Sequence, residues 1–381
     1  MNLTSNGKLG RRVFLAATAA TAVSAMLPAA GLAAAPEPEW RNRQPNMTYR
    51  RLGRTGYMVS SMGLGGDDIA PDNLDLVYWA MDQGVNYFDT APHYNNFRSE
   101  PGYAAVLKAR GRDKVFQVSK VNVFPTRTVA YQTIFRSLPD AEQAQIRARV
   151  MDNIAQKGIE TPDYLGPYFT GQETGLRNAA IANILSEKYS EKIDAQKQYK
   201  QYIISSVEGS LKTLGTDHLD CILMRGVETP YEISHTPEVF EAFEILKKQG
   251  KARFLGFTAH SDPAGVLDAA IDTGVYSMGM IAYNFFTDKW VGPVIEKAKK
   301  ADFGVLSMKA SRVVQNGYNR RQLVPDRVKR LNAAVPGDLT LFQKGFHWVL
   351  QNPNLSGVVA GITTLDMAKE DIPMAMAKPG A

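Results

Sequence analysis

The chain has 381 residues, 44% of them hydrophobic and 22% charged, which supplies a large core and excludes a disordered or fibrous chain. Its formal charge is +6, and setting aside the three cations Lys8, Arg11 and Arg12 of the first 35 residues leaves +3. With so small an excess and no basic run interleaved with aromatics, composition argues against nucleic acid as a partner.

Residues 1–35 read as an export signal. Gly10-Arg11-Arg12-Val13-Phe14-Leu15 leads into an Ala-rich apolar run that ends Gly31-Leu32-Ala33-Ala34-Ala35, giving a basic start, an apolar middle and small residues before cleavage. The Arg pair followed by Val-Phe-Leu resembles a twin-arginine signal. It implies the twin-arginine export machinery as a partner and a periplasmic location. A membrane anchor is the alternative, and Pro36 leaves the cleavage point open. No later stretch is long and apolar enough to span a bilayer. The single cysteine, Cys221, sits in an apolar run; a chain without an internal disulfide must be held by its core, which suits export in the folded state.

Residues 36–46 are polar and Pro-containing and read as a linker. Met47–Arg50 and Tyr57–Ser60 flank Gly53-Arg54-Thr55-Gly56 and read as a β-hairpin. Strand Met62–Gly66 follows, and then helix and strand alternate. The helices are expected at Asp72–Gln83, Pro101–Ala109, Tyr199–Leu214, Pro237–Gln249, Pro263–Asp272, Val291–Ala301 and Leu339–Gln351. The strands are expected at Asn86–Asp89, Val115–Lys120, Leu219–Met224, Ala252–Phe257, Met278–Ala282, Gly304–Met308 and Ser356–Val359. Eight largely apolar strands, each fit for cover on both faces, predict a closed α/β barrel over residues 47–381. Residues 122–200 interrupt the rhythm with amphipathic stretches and the aromatic loop Tyr164-Leu165-Gly166-Pro167-Tyr168-Phe169. They leave the C-terminal end of strand three and read as a helical cap over the mouth, with a dimerisation arm as the alternative. A shorter Arg- and Asn-rich loop, 310–336, follows strand seven on the same face.

Chemistry-bearing residues gather at strand ends. The stretch Gly84–Tyr94 (GVNYFDTAPHY) carries a buried strand into Asp89, then His93 and Tyr94. Lys120 ends strand three and Arg225 follows strand four. A Lys beside a phenol favours tyrosinate and lowers the phenol's pKa, and an Asp paired to the Lys keeps it charged. Such a Tyr can protonate a carbonyl oxygen or deprotonate an alcohol. Asp67, Asp89, His93 and His260 also admit a metal-site reading, but Arg225 and Asn284 stand where acids would be needed. Ser119 lacks the surroundings of a nucleophile elbow.

These residues resemble the aldo-keto reductase superfamily. The likeness runs through Tyr49-Arg-Arg-Leu-Gly-Arg-Thr-Gly56, Asn86-Tyr-Phe-Asp-Thr-Ala-Pro-His-Tyr94, Val118-Ser-Lys120, Ser205–Asp220, Gly250–Gly256 and Ala282-Tyr-Asn284, and covers most of residues 47–371 outside the two insertions. It implies a (β/α)8 TIM barrel and reduction of aldehydes or ketones with NADP. Tyr94 would be the general acid/base, Lys120 would tune it and Asp89 would hold Lys120.

Several positions depart from the family pattern. Arg225 aligns with its catalytic His, so Arg225 either binds a carboxylate or polarises an oxygen while stabilising Tyr94 as tyrosinate and so favouring alcohol oxidation, or else makes the usual chemistry poor. Thr258-Ala259 replaces Ser/Thr-Asn after strand five, Met280 replaces a Gln, and Met308-Lys309 falls where an aromatic is expected. The cofactor-binding candidates are Thr258, Asn284, Lys309, Gly361, Thr363 and Thr364, the last two alternatively mere helix caps. The resulting expectation is an exported oxidoreductase acting on a polar carbonyl or alcohol, a sugar or a hydroxy acid. A redox-neutral enzyme or a non-catalytic binding barrel remains the alternative. Oligomeric state stays open.

Overall fold

The computed structural model describes residues 37–166, 168–190, 195–317 and 322–376; the export signal read at 1–35 lies outside them. Three short strands come first: β1 (Glu39–Trp40), β2 (Tyr49–Arg51) and β3 (Tyr57–Ser60). The hairpin is present, with β2 antiparallel to β3, and β1 adds a parallel third strand. Residues 37–46 of the expected linker are therefore a structured part of the barrel's base. Glu39 holds Arg253 at 2.7 Å, and Asn42 donates to the Met81 carbonyl at 2.7 Å.

The remaining elements alternate as predicted. They run β4 (Met62–Gly65), α1 (Asp75–Asp82), β5 (Tyr87–Asp89), α2 (Ser99–Arg110) and β6 (Phe116–Val121). A run of helices follows: α3 (Val123–Ser137), α4 (Asp140–Lys157), α5 (Gln172–Tyr189) and α6 (Ala195–Leu214). Then come β7 (Leu219–Val227), α7 (Pro230–Ser234), α8 (Pro237–Lys248), β8 (Ala252–Ala259), α9 (Pro263–Thr273) and β9 (Met278–Ala282). The last are α10 (Asp288–Lys300), β10 (Gly304–Met308), α11 (Pro325–Ala334), α12 (Leu341–Leu350), β11 (Gly357–Ala360) and α13 (Leu365–Asp371). Strands β4 to β11 close into an eight-stranded barrel in sequence order, every pairing parallel.

Alternation along the strands divides the core in two. Tyr87, Phe116, Val118, Cys221, Leu223, Met278, Met280, Leu306 and Val359 fill the barrel, and Leu52, Tyr57 and Val59 of the hairpin close it from below. Residues one position away face the helices and join the outer core. Met280, at the position of the family's Gln, is thus interior packing. Burial pushes the Cys221 thiol pKa well up, leaving it an inert apolar group.

The cap is α3, α4, α5 and the loop after α4. Its Tyr131, Phe135, Ile146, Val150, Leu176 and Leu185 are continuous with the outer core, so it is packed as part of the barrel. No helix among the described residues is long and apolar enough to cross a membrane.

Candidate active site

The alternation that fills the barrel also aims the polar residues. On β5, Tyr87 points inward, and so does Asp89 two residues on; on β6, Phe116 and Val118 lead to Lys120; on β7, Cys221 and Leu223 lead to Arg225. All lie at the C-terminal ends of their strands, the catalytic face of such barrels. Gly66 makes room for the group, because a Cβ there would come within 2.3 Å of the Asp89 carbonyl oxygen.

Lys120 is the centre. Its Nζ donates to Asp89 Oδ1 at 2.5 Å and to the Thr90 carbonyl at 3.0 Å, and lies 4.3 Å from the centroid of the Tyr94 ring. Burial alone would depress its pKa, but Asp89 and Tyr94 outweigh burial and raise it, so Lys120 stays an ammonium. The expected lowering of the Tyr94 pKa is not the net result. Burial dominates and raises it, with the pull of Lys120 second. Tyr94 is therefore a protonated phenol with a cation beside it, suited to giving a proton. The turn that presents it is tight: Tyr94 N–H bonds to the Ala91 carbonyl, and Asn95, Asn96 and Phe97 all take left-handed backbone at φ 46°, 52° and 65°.

Arg225 does not reach into this group alone. Its Nη1 donates to Asn122 Oδ1 at 3.2 Å, and Asn122 Nδ2 lies 3.5 Å from His93 Nδ1. Asn122 escaped the sequence reading; its only signal was its position two residues beyond Lys120. His93 meets the Tyr94 ring edge-on at 5.1 Å. Burial, then Arg225 and Lys120, push its pKa down to about 4, so it is neutral. Among the described residues no group of three or more His, Cys, Asp or Glu side chains is placed to hold a metal.

The cap loop closes over the mouth. Tyr168 OH accepts from Asn284 Nδ2 at 2.9 Å, and Tyr168 and Phe169 pack on His260 at centroid distances of 6.4 and 5.3 Å. Burial, followed by Lys309, Arg225 and Lys120, drives the His260 pKa well down. Two Arg of the 310–336 loop pin the cap. Arg327 donates to the Val313 and Pro162 carbonyls at 2.9 and 2.6 Å, and Arg330 pairs with Asp163 at 2.8 Å.

The residues expected to hold the cofactor divide by end. At the nicotinamide side, Thr258 Oγ1 accepts from Gly226 N–H at 3.3 Å, and the Asn284 amide is engaged by Tyr168 and by the Phe286 N–H. These two do not fit a ligand while the loop is closed. At the phosphate side, Thr364 caps α13 by accepting from Met367 N–H at 3.2 Å, and Thr363 bonds to the Met367 sulfur at 3.1 Å, so both hydroxyls have helix-end roles. Gly361 is exposed, and a Cβ there would meet no atom within 4 Å, so the space over it is open. In the segment after β10, Lys309 stands on left-handed backbone at φ 62°, and Arg312 keeps a buried Nη2 with no partner among the described residues. A guanidinium nitrogen left unpaired by protein is what a phosphate oxygen would complete.

Residues 61–372 match the aldo/keto reductase family. An uncharacterized oxidoreductase of Bacillus subtilis, YqkF, is 26% identical over 262 residues, covering 60% of this chain and 82% of that protein. An aldo-keto reductase of Fusarium vanettenii is 26% identical over 221 residues, covering 55% of this chain and 48% of its own. This chain thus spans about half the length of that relative. Among solved structures, the holo form of an aldo-keto reductase from Bacillus halodurans superposes with a TM-score of 0.57 at 19% identity, covering 88% and 93% of the two chains. One from Klebsiella pneumoniae in complex with NADPH superposes at 0.51 and 16% identity, covering 88% and 92%.

Proposed function

The chain belongs to the aldo/keto reductase family, and from that premise we propose that it reduces a small polar carbonyl compound with NADPH, Tyr94 giving the proton. The observation that carries the reading is Lys120, buried between Asp89 and the Tyr94 ring. NADPH, when bound, supplies the hydride; Gly361, Lys309 and Arg312 are the residues that would hold its phosphates.

The chain's own part is proton placement and water exclusion. The substrate oxygen accepts a hydrogen bond from Tyr94. As negative charge grows on that oxygen, the phenol proton moves onto it, and the tyrosinate left behind is stabilised by Lys120, which Asp89 and the Thr90 carbonyl hold in place. Tyr168 and Phe169 cover the mouth and keep water away. Because burial outweighs Lys120 at Tyr94, the resting side chain is the phenol, the form that can give a proton. Arg225 acts on His260 at the mouth and is a cation beyond the Lys120–Asp89 pair. That favours an anionic carbonyl, the oxidised form of a hydroxy acid, over a neutral sugar.

The test starts with protein denatured to release any bound molecule, identified by absorbance and mass, followed by NADPH turnover on 2-oxo acids and aldoses. Expected are NADPH binding, turnover, and a loss of about 10²–10⁴-fold in Tyr94→Phe. A chain that binds no NADPH, or a Tyr94→Phe variant of full activity, would overturn the reading in favour of a redox-neutral or binding barrel.

Export is the second part of the proposal. Arg11-Arg12 before an apolar run, together with a lone buried Cys221, supports folded transport by the twin-arginine route, with cofactor loaded beforehand. Arg11→Lys with Arg12→Lys should keep the protein in the cytoplasmic fraction; unchanged fractionation would exclude that route.

A further inference from the structure

The resemblance places an imidazole at the end of β7, and this chain has Arg225 there. A neutral imidazole is nonetheless present, one residue before Tyr94. His93 packs edge-on against the Tyr94 ring at 5.1 Å, and its Nε2 is buried with no hydrogen-bond partner among the described residues. A buried ring nitrogen without a partner is costly in a native protein and points to a missing ligand atom.

The neighbours determine what that nitrogen offers. A guanidinium has only donors. The Asn122 atom facing Arg225 Nη1 at 3.2 Å must therefore be the amide oxygen, which turns the amide nitrogen toward His93 Nδ1 at 3.5 Å. An amide nitrogen is a donor, so Nδ1 is the acceptor. In a neutral ring the one proton then sits on Nε2, making the unpartnered nitrogen a donor.

We propose that His93 donates the second hydrogen bond to the substrate carbonyl oxygen, beside Tyr94, and that Arg225 acts through Asn122 to hold His93 in the Nε2–H tautomer. His93 is the catalytic residue in this arrangement, and Arg225 and Asn122 are positioning residues. Arg225 thus replaces the family's imidazole only in place; the imidazole's role has moved to the loop after β5, two strands away across β6. The depressed basicity of His93 agrees with this: it orients the oxygen as a neutral donor and leaves proton transfer to Tyr94.

The inference rests on the reductase reading, and two measurements separate their failures. The first needs no substrate. Nitrogen-15 spectra of His-labelled protein, assigned with His93→Gln, should show His93 as the Nε2–H tautomer, and Arg225→Met should convert it to a mixture. An Nδ1–H ring, or a tautomer indifferent to Arg225→Met, overturns the arrangement. The second is kinetic. His93→Ala should lower kcat/KM for carbonyl reduction by about 10²-fold, the usual loss of one oxyanion donor, with the NADPH Kd unchanged. His93→Gln, whose amide nitrogen can reach the Nε2 position, should recover most of that loss. Wild-type turnover with a fully active His93→Ala overturns the inference and leaves the reductase standing. A wild-type chain without NADPH binding or turnover overturns the reductase and the donor role together.

Discussion

His93 is a base whose folded pKa, about 4, lies below its ordinary value of 6.5. Between those two values the unfolded chain binds a proton that the folded chain does not. Stability therefore rises with pH across that window and is lost as pH falls from about 6.5 toward 4. His260, whose pKa burial pushes well down, adds to the loss with the same sign. Glu228, raised by burial to about 7, acts in the opposite sense, because the folded chain holds its proton longer. The whole-protein slope is thus a difference, but the comparison of wild type with His93→Gln isolates one member. Chemical denaturation at pH 7 and pH 5 should show the variant losing less stability than wild type on acidification. Equal losses would place His93 in solvent rather than against Tyr94. At this scale the sequence was informative about Asp89, Tyr94, Lys120 and Arg225, because a period of two along buried strands puts every inward polar residue at one end of the barrel. It could not show that burial outweighs Lys120 at Tyr94, nor that Asn122 bridges Arg225 to His93. Both depend on how deeply a loop packs and how an amide is turned.

At the scale of elements, the cap is held to the barrel by contacts of very different worth. Arg327 is buried and satisfies two backbone carbonyls on separate loops. Removing a charged donor from the buried Val313 carbonyl and the part-buried Pro162 carbonyl costs about 1.5–3 kcal/mol. Arg330 pairs with Asp163 with its side chain 41% exposed, and such a pair contributes about 0–1 kcal/mol. Arg327→Ala should lower the denaturation midpoint and admit protease to the loop between α4 and α5; Arg330→Ala should do little. If the two behave alike, the loop is held by its aromatics and not by Arg327. Strand and helix order, the hairpin and the existence of the cap were legible because apolar runs and turn residues are local signals. The partners of the cap were not: Arg327 and Pro162 lie 165 positions apart, and the Arg of a polar loop look the same in sequence whether they meet a ligand or a carbonyl.

For the molecule as a whole, the base of the barrel decides where the folded chain must begin. Asp220, at the start of β7, has a fully buried side chain, yet it faces Arg41 at 3.2 Å, Arg112 at 2.8 Å and Arg253 at 3.2 Å and accepts from Gln117 N–H at 2.8 Å. Glu39 closes the cluster by bridging Arg41 and Arg253. Breaking a fully buried pair costs about 3–5 kcal/mol, but here Arg253 and Glu39 are 36% and 35% exposed and stay paired with each other. Asp220→Asn keeps the shape and loses the charge, so it should cost less than that range by denaturant melts, yet more than an exposed pair's about 0–1 kcal/mol. Residues 37–43 supply Glu39 and Arg41, and β1 pairs with β3. A chain starting at residue 36 should melt with the full-length protein, whereas one starting at residue 44 should melt well below it, since it loses a strand and two members of the cluster. Equal melting of those two truncations would return 36–46 to the role of a linker. If they differ as expected, the proposed export route would require a cut before Glu39, because a later cut would open the base of the barrel on the side opposite the catalytic face.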